Sequence, residues 1–176
     1  MVTASTTATA SPAPAAGTVR AARRDDIPQI LTLVRELAAY EREPDAVEGT
    51  AEGYAQVLFP ADGGPTAYAH VAEVDGHVVG IAVWFLTFST WEGRNGIHLE
   101  DLYVTEEHRG SGLGKALLRS LAEICVERGY RRLEWWVLRW NEPSIAFYDA
   151  LGAEPMDGWV DYRLSGRPLE ALAGRR

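Results

Sequence analysis

The sequence lacks the features that mark secreted, zinc-binding and membrane-spanning proteins. It has one cysteine, Cys125, so it can form neither an intramolecular disulfide nor a thiolate zinc cluster, and we expect a reducing, cytoplasmic environment. No uninterrupted apolar run approaches the length that crosses a bilayer. Residues 1–18 are nearly all Ala, Thr, Ser and Pro, without the basic start of a secretory signal, and we predict a disordered tail there.

Positive charge is also scarce. The 17 Lys and Arg residues are outnumbered by 25 Asp and Glu residues, which gives a formal net charge of -8. Such a chain is poorly suited to bind nucleic acid or an anionic membrane, whereas it attracts cationic substrates. No metal-ligand spacing connects the four histidines, so we predict no metal; they are His70, His77, His98 and His108.

The length of the chain predicts a single domain, which we place at 19–176. A chain of 176 residues, 47% of them hydrophobic, is long enough to enclose one core.

Apolar residues recur at spacings of three and four over 25–40 and 113–128, which predicts two amphipathic helices. The acidic stretch 36–52 is interrupted by proline and glycine, so we expect broken helix or loop there. Cys125 lies on the apolar face of the second helix and is predicted to be a core residue.

Stretches rich in β-forming residues complete an α/β pattern. Two of them flank Asp75-Gly76, a pair that supplies the positive φ angles of a two-residue antiparallel hairpin. The strand before the second helix and the strand after it form a βαβ unit, so they should be parallel. The predicted strands are 68–74, 77–88, 96–104, 132–138 and 159–164, with a short helix at 143–151.

A glycine-rich loop, Arg109-Gly110-Ser111-Gly112-Leu113-Gly114, precedes the second helix. Glycines let the backbone approach a ligand, and the N–H groups at a helix start can bind phosphate. The loop is not a Walker motif, because Ala116 follows Gly114-Lys115 where that motif needs Ser or Thr, and it lacks the spacing of the dinucleotide fingerprint. We predict an anion-binding loop; a turn that merely connects strand and helix is the alternative.

The loop and its flanks resemble the GNAT superfamily of N-acetyltransferases, whose Arg/Gln-x-x-Gly-x-Gly/Ala loop binds the pyrophosphate of coenzyme A. The stretches Leu99-Glu100-Asp101-Leu102-Tyr103-Val104 and Trp140-Asn141-Glu142-Pro143-Ser144-Ile145-Ala146-Phe147-Tyr148 resemble its diamine (spermidine/spermine) branch. The resemblance spans about 19–164. It implies a mixed, mostly antiparallel sheet with a splayed parallel strand pair and flanking helices, and an acetyl-CoA-dependent, homodimeric enzyme.

The resemblance also implies the acetyl-CoA contacts. Leu102 and Val104 would offer backbone groups to pantetheine, and the loop would bind the pyrophosphate through Arg109, Gly110, Ser111, Gly112, Leu113, Gly114 and Lys115. Asn141 and Ser144 match positions that touch the cofactor. Tyr148 matches the tyrosine that protonates the departing thiolate, and a tyrosine with an ordinary pKa near ~10 carries the necessary proton at neutral pH. Simple core packing of Tyr148 is the alternative.

The amine site is implied in the same way. An alkylammonium, with a pKa near ~10, must lose a proton before it attacks a thioester. Glu100 matches the glutamate that accepts this proton, and Asp101 is expected on the opposite face of the strand, although both carboxylates could simply be solvated. A carboxylate with aromatic walls suits a cation. The matching wall residues are Tyr40, Glu41, Asp157 and Trp159, which Trp136 and Trp91 would extend.

One position departs from the branch. Arg139 stands where polyamine enzymes carry an acidic residue, and this charge would repel a polycation, so a diamine, a lysine-like amino acid or an amine with a carboxylate fits better. We predict direct acetyl transfer to a small primary amine in a ternary complex. The alternatives are a protein, peptide or antibiotic amine as substrate, and a non-catalytic acyl-CoA-binding protein. Retention of both Glu100 and Tyr148 argues against the last.

Overall fold

A five-stranded sheet is the main layer of the computed structural model, which describes residues 17–174. Its strands are β1 (Thr18–Ala21), β2 (Tyr68–Val74), β3 (His77–Ser89), β4 (Arg94–Val104) and β5 (Leu133–Trp135), adjacent in that order. The first three pairings are antiparallel and β4 pairs with β5 in parallel, which confirms the predicted mixed, mostly antiparallel fold. The predicted tail falls outside the described residues except for Gly17 and Thr18, the latter being the first residue of β1.

The described chain divides into two compact units, 17–136 and 137–174. The first contains the sheet with α1 (Ile27–Tyr40), α2 (Ala51–Leu58) and α3 (Leu113–Glu127). The second contains α4 (Glu142–Asp149) and α5 (Gly166–Leu172). The extent of one functional domain over 19–176 stays a prediction.

The helix α1 forms where the apolar periodicity predicts it, with Pro28 in its first turn. Its inward side chains pack on the sheet and on α2, and each fully buried aliphatic side chain contributes about 1.5–3 kcal/mol. The core cluster consists of Ile30, Leu33, Leu58, Ala69, Val71, Ile81, Val83 and Tyr103. Residues 41–50 are loop, as expected, and the following α2 begins at a Thr50 cap, whose Oγ1 accepts the Gly53 N–H at 3.1 Å.

Turn and helix signals also hold for the hairpin and for α3. Asp75 and Gly76 have φ angles of 50° and 79°, the left-handed conformations that a two-residue hairpin requires. The apolar face of α3 is buried, and Cys125 on that face lies in the core. Burial raises the pKa of the Cys125 thiol, which disfavours the reactive thiolate.

An ion-pair network fixes the start of α1 against the sheet edge. The Arg20 guanidinium on β1 donates to both Asp26 carboxylate oxygens, at 2.7 and 3.0 Å, and to Glu73 on β2 at 2.7 Å. Hydrogen bonding to Arg20 holds the pKa of Asp26 below its ordinary value, although burial opposes this. The network therefore joins β1, the turn before α1 and β2.

Two predicted strands differ from the structure. The strand predicted at 132–138 is shorter, because β5 spans only Leu133–Trp135. The strand predicted at 159–164 is wrong: this stretch is irregular, and Trp159 donates its N–H to Met156 O in a turn at 3.3 Å. Its β-forming residues do not suffice, since a strand needs a hydrogen-bonded neighbour and the described sheet ends at β5.

Residues 17–174, which the structure describes, lack both a membrane-spanning helix and a metal-binding cluster. No helix there is both long and apolar enough to span a bilayer. The same stretch contains no group of three or more His, Cys, Asp or Glu side chains arranged to hold a metal ion.

Candidate active site

A β-bulge interrupts β4 at Glu100. Val83 of β3 lies opposite Asp101, and the next residue, Trp84, lies opposite Leu99, so Glu100 has no cross-strand partner on β3. A bulge changes the direction of nearby side chains and is common beside active sites. The strict alternation that was expected to separate Glu100 from Asp101 therefore does not hold here.

Three carboxylates interact near this bulge. Glu41 directly follows α1, and its charge and that of Glu100 both act on Asp101. Burial is the main cause that raises the pKa of Asp101 to about 6, and the charges of Glu100 and Glu41 add to it. Burial also raises the pKa of Glu41, and burial together with the charge of Asp101 raises that of Tyr54 on α2. Because repelling carboxylates in a desolvated place are stabilised by a positive charge, this acidic cluster suits a cation.

An aromatic group borders Glu100. The buried His98 ring stacks on Phe85 with 4.9 Å between centroids and meets Trp136 edge-on at 4.8 Å. His98 Nε2 lies 4.0 Å from Glu100 Oε2. His98 therefore contacts both Trp136, a predicted wall residue, and Glu100, the predicted base. The sequence alone assigned His98 no role.

The Arg109 side chain packs against the end of α1. Its guanidinium carbon is 4.9 Å from the ring centroid of Tyr40 and 5.5 Å from that of Tyr103, and its Nε donates to Val104 O at 3.2 Å. A guanidinium at these distances from aromatic faces is attracted by cation–π interaction. Tyr40, expected in the amine wall, therefore contacts the arginine of the glycine-rich loop, which no sequence pattern indicated.

The glycine-rich loop exposes its backbone at the start of α3. Gly110 and Gly112 have φ angles of 75° and 90°, and a Cβ at either position would meet no atom within 4 Å. Gly112 is the N-cap and supplies no side-chain cap. The first helical N–H groups, those of Leu113, Gly114 and Lys115, consequently lack intrahelical acceptors. These features fit an anionic group such as a diphosphate.

The edge of β4 extends beyond its parallel partner. The β4–β5 ladder covers 97–99 opposite 133–135, and β4 continues to Val104. The Thr105 N–H donates to Val79 O of β3 at 2.9 Å. Because successive backbone groups of a strand point in opposite directions, those of Leu102 and Val104 point away from β3, towards the side on which β5 has ended.

The second unit contains the remaining predicted residues. Asn141 caps α4, since its Oδ1 accepts the Ser144 N–H at 3.3 Å. Tyr148 is half-buried on α4 next to Phe147, with 5.3 Å between their ring centroids. Asp157 and Trp159 lie in the irregular segment between α4 and α5, and Arg139 lies in the turn before α4.

Comparison with known proteins shows similarity along most of the chain. The model of the acetyltransferase (GNAT) family matches residues 31–153. A thialysine N-epsilon-acetyltransferase of Bos taurus is 38% identical over 171 residues, covering 89% of this chain and 97% of that protein. A spermidine/spermine N(1)-acetyltransferase-like protein of Homo sapiens is 34% identical over 165 residues, covering 88% and 23% respectively. A V. cholerae integron cassette protein superposes with a TM-score of 0.74 at 23% identity, covering 89% and 97%, and shares the fold.

The matched region includes the bulge, the glycine-rich loop and the exposed edge of β4, and it ends before the predicted site residues Asp157 and Trp159. The names of the Bos taurus and Homo sapiens relatives agree with the resemblance to the diamine branch. On these grounds the chain belongs to the GNAT family and is an acetyltransferase.

Proposed function

We propose that this acetyltransferase moves the acetyl group of acetyl-CoA to the terminal primary amine of a small diamine or lysine-like molecule, by direct attack in a ternary complex. The observation that carries this proposal is the acidic cluster of Glu41, Glu100 and Asp101. A cationic amine would relieve the repulsion among these carboxylates, and Trp136, which contacts His98 beside Glu100, would add an aromatic wall; Tyr40 is assigned to that wall by the resemblance. Asp157 and Trp159 match amine-binding positions of the diamine branch by resemblance alone.

Exposed backbone groups of the glycine-rich loop and of β4 support the proposed acetyl-CoA contacts. GNAT enzymes use acetyl-CoA, and the first N–H groups of α3 together with Gly110 and Gly112 suit its diphosphate. Leu102 and Val104 would pair with pantetheine along the edge of β4. Arg109 would add positive charge beside the loop, and Asn141 and Ser144 are assigned by resemblance alone. When bound, the thioester supplies an acyl group already activated towards an amine.

The proton balance defines the roles of three side chains. The ammonium nitrogen carries three protons and the amide product keeps one. Glu100 takes the first proton, which passes to solvent, and the neutral amine then attacks the carbonyl carbon as the C–N bond forms. When the C–S bond breaks, Tyr148 protonates the sulfur and is reprotonated at the expense of the second N–H proton. Asp101 holds the cation in place.

Charge also favours one kind of amine. Arg139 lies just before α4 and would repel a polycation but attract a carboxylate. The Bos taurus relative is named for thialysine, an analogue of lysine with both an amine and a carboxylate. We therefore place thialysine, lysine and ornithine ahead of spermidine as substrates. The cytoplasmic location and the homodimer stay predictions.

A panel of amines assayed by thiol release from acetyl-CoA tests this function. Thialysine, lysine, ornithine, putrescine, spermidine, an aminoglycoside and a lysine-containing peptide would be compared at equal concentration. We expect the highest kcat/KM for the lysine-like amines and a large loss in the Asp101→Asn variant. Activity on the peptide or the aminoglycoside alone would replace the small-amine assignment. Tight acetyl-CoA binding with no acetylated product would indicate a non-catalytic binding protein.

A further inference from the structure

We propose that His98 is a positioning residue for deprotonation of the amine: it orients Glu100 and accepts, through one bridging water, the proton that Glu100 removes. This inference rests on the proposed function, because it concerns the fate of that proton. Neither the family match nor the resemblance assigns His98 a role.

Aromatic packing holds the His98 imidazole in place, and the imidazole is positioned to orient the Glu100 carboxylate. His98 is 6% exposed, and Phe85 and Trp136 hold its ring from two directions. Glu100 is exposed at the bulge, and within the described chain its one ion-pair contact is His98 Nε2 at 4.0 Å from its Oε2. A separation of this size is too long for a direct hydrogen bond and is commonly bridged by a water molecule.

The reason for a second acceptor is the size of the proton-transfer step. Ordinary pKa values are near ~10 for an alkylamine, ~4.3 for a glutamate and ~6.5 for an imidazole. Transfer from amine to carboxylate is therefore uphill by about six pKa units, and passing the proton to an imidazole recovers about two of them.

The charged groups near His98 come from two strands. Glu100 and Asp101 follow it on β4, and Glu134 lies opposite it on β5, with its Oε1 3.4 Å from Arg132 Nε. On the other side β3 contributes the uncharged Phe85. Of these carboxylates, Glu100 is the one whose oxygen lies beside the imidazole, 4.0 Å from His98 Nε2, so it is the group through which His98 acts.

Substitutions that keep the aromatic packing test the role. His98→Phe preserves the stacking on Phe85 but cannot accept a proton, and we expect kcat at pH 7 to fall about ten- to hundredfold with an unchanged KM for acetyl-CoA. The deficit should shrink at pH 9, where more amine arrives neutral. Added imidazole should restore part of the activity of His98→Ala. The matched control is His70→Gln, which replaces a half-buried imidazole that accepts the Trp84 Nε1–H at 3.1 Å, and it should keep the wild-type kcat.

The outcomes separate this inference from the proposed function. A folded His98→Phe variant with the wild-type kcat at pH 7 would overturn the role of His98 while leaving the acetyltransfer intact. A loss of kcat that neither pH 9 nor imidazole relieves would mean that His98 only packs. If His98→Phe does not fold, His98→Gln is judged by the same criteria. Wild-type protein that acetylates no amine would instead contradict the proposed function.

Discussion

Replacing Asp101 with asparagine should make the protein more stable and less active. In the folded state burial and two neighbouring carboxylates raise the pKa of Asp101 from 3.8 to about 6. Between these values the folded chain binds more protons than the unfolded chain, so the free energy of unfolding falls as the pH rises from 4 to 6. At neutral pH the ionised carboxylate therefore destabilises the fold, and asparagine removes that charge without changing the shape.

The size of the effect follows from the shift. About two pKa units at 1.36 kcal/mol each give about 3 kcal/mol, and partial exposure of the half-buried side chain reduces this to about 2 kcal/mol. For a chain of this length, 1 kcal/mol changes the melting temperature by about 2–4 °C. Asp101→Asn should therefore melt about 4–8 °C higher than the wild type at pH 7.5, with little difference at pH 4.

Thermal unfolding at pH 4, 6 and 7.5, followed by circular dichroism, measures this difference. The matched control is Asp62→Asn, because Asp62 is an exposed aspartate in the loop after α2 and should leave the melting temperature unchanged. Amine KM measured on the same samples should rise at least tenfold in Asp101→Asn. An Asp101→Asn protein that melts at or below the wild type at pH 7.5 would show that the carboxylate is not held at an energetic cost.

Three further substitutions test other parts of the structure. Tyr148→Phe should lower kcat by about 10²–10⁴ without weakening acetyl-CoA binding measured by calorimetry, and an unchanged kcat would remove the proposed acid. Gly112→Val should destabilise the fold by about 1–2 kcal/mol, because the φ of 90° at this position is strained for a β-branched residue. The same substitution should weaken acetyl-CoA binding. An affinity for acetyl-CoA equal to that of the wild type would contradict the proposed backbone contact. Arg20→Met leaves Asp26 and Glu73 without their cation and should cost about 2 kcal/mol of stability in urea unfolding at pH 7. Because Arg20 holds the pKa of Asp26 below its ordinary value of 3.8, this stabilisation is lost as the pH falls below that value, so the loss should be smaller at pH 3. A pH-independent loss would mean that only packing was removed.

Local signals predicted most of the fold. The periodicity of α1 and α3 and the Asp75-Gly76 turn depend on residues a few positions apart, and the structure confirms them. The short helices α2 and α5 were not predicted, because eight and seven residues offer few apolar repeats. The strand prediction at 159–164 failed for a different reason: its residues favour β-structure, but a strand also requires a neighbour to pair with, which local composition does not specify.

The candidate site was predictable where it depends on backbone conformation. The positive φ angles of Gly110 and Gly112 follow from glycine placed before a helix, and the structure has them. The contact of Arg109 with Tyr40 joins residues far apart in sequence, and only tertiary packing creates it. The resemblance drew attention to this region but could not show that the arginine packs on an aromatic ring.

The bulge at Glu100 explains why the carboxylates were ranked differently from sequence and from structure. Alternation along a strand is a local rule, whereas a bulge depends on register against the neighbouring strand, here Val83 opposite Asp101 and Trp84 opposite Leu99. Because Glu100 is the extra residue of the bulge, Asp101 is buried near negative charges, and burial and these charges raise its pKa to about 6. Glu100 itself stays exposed beside His98. The division of labour that we propose, with Asp101 binding the cation and Glu100 removing its proton, therefore arises from a single register shift between β3 and β4.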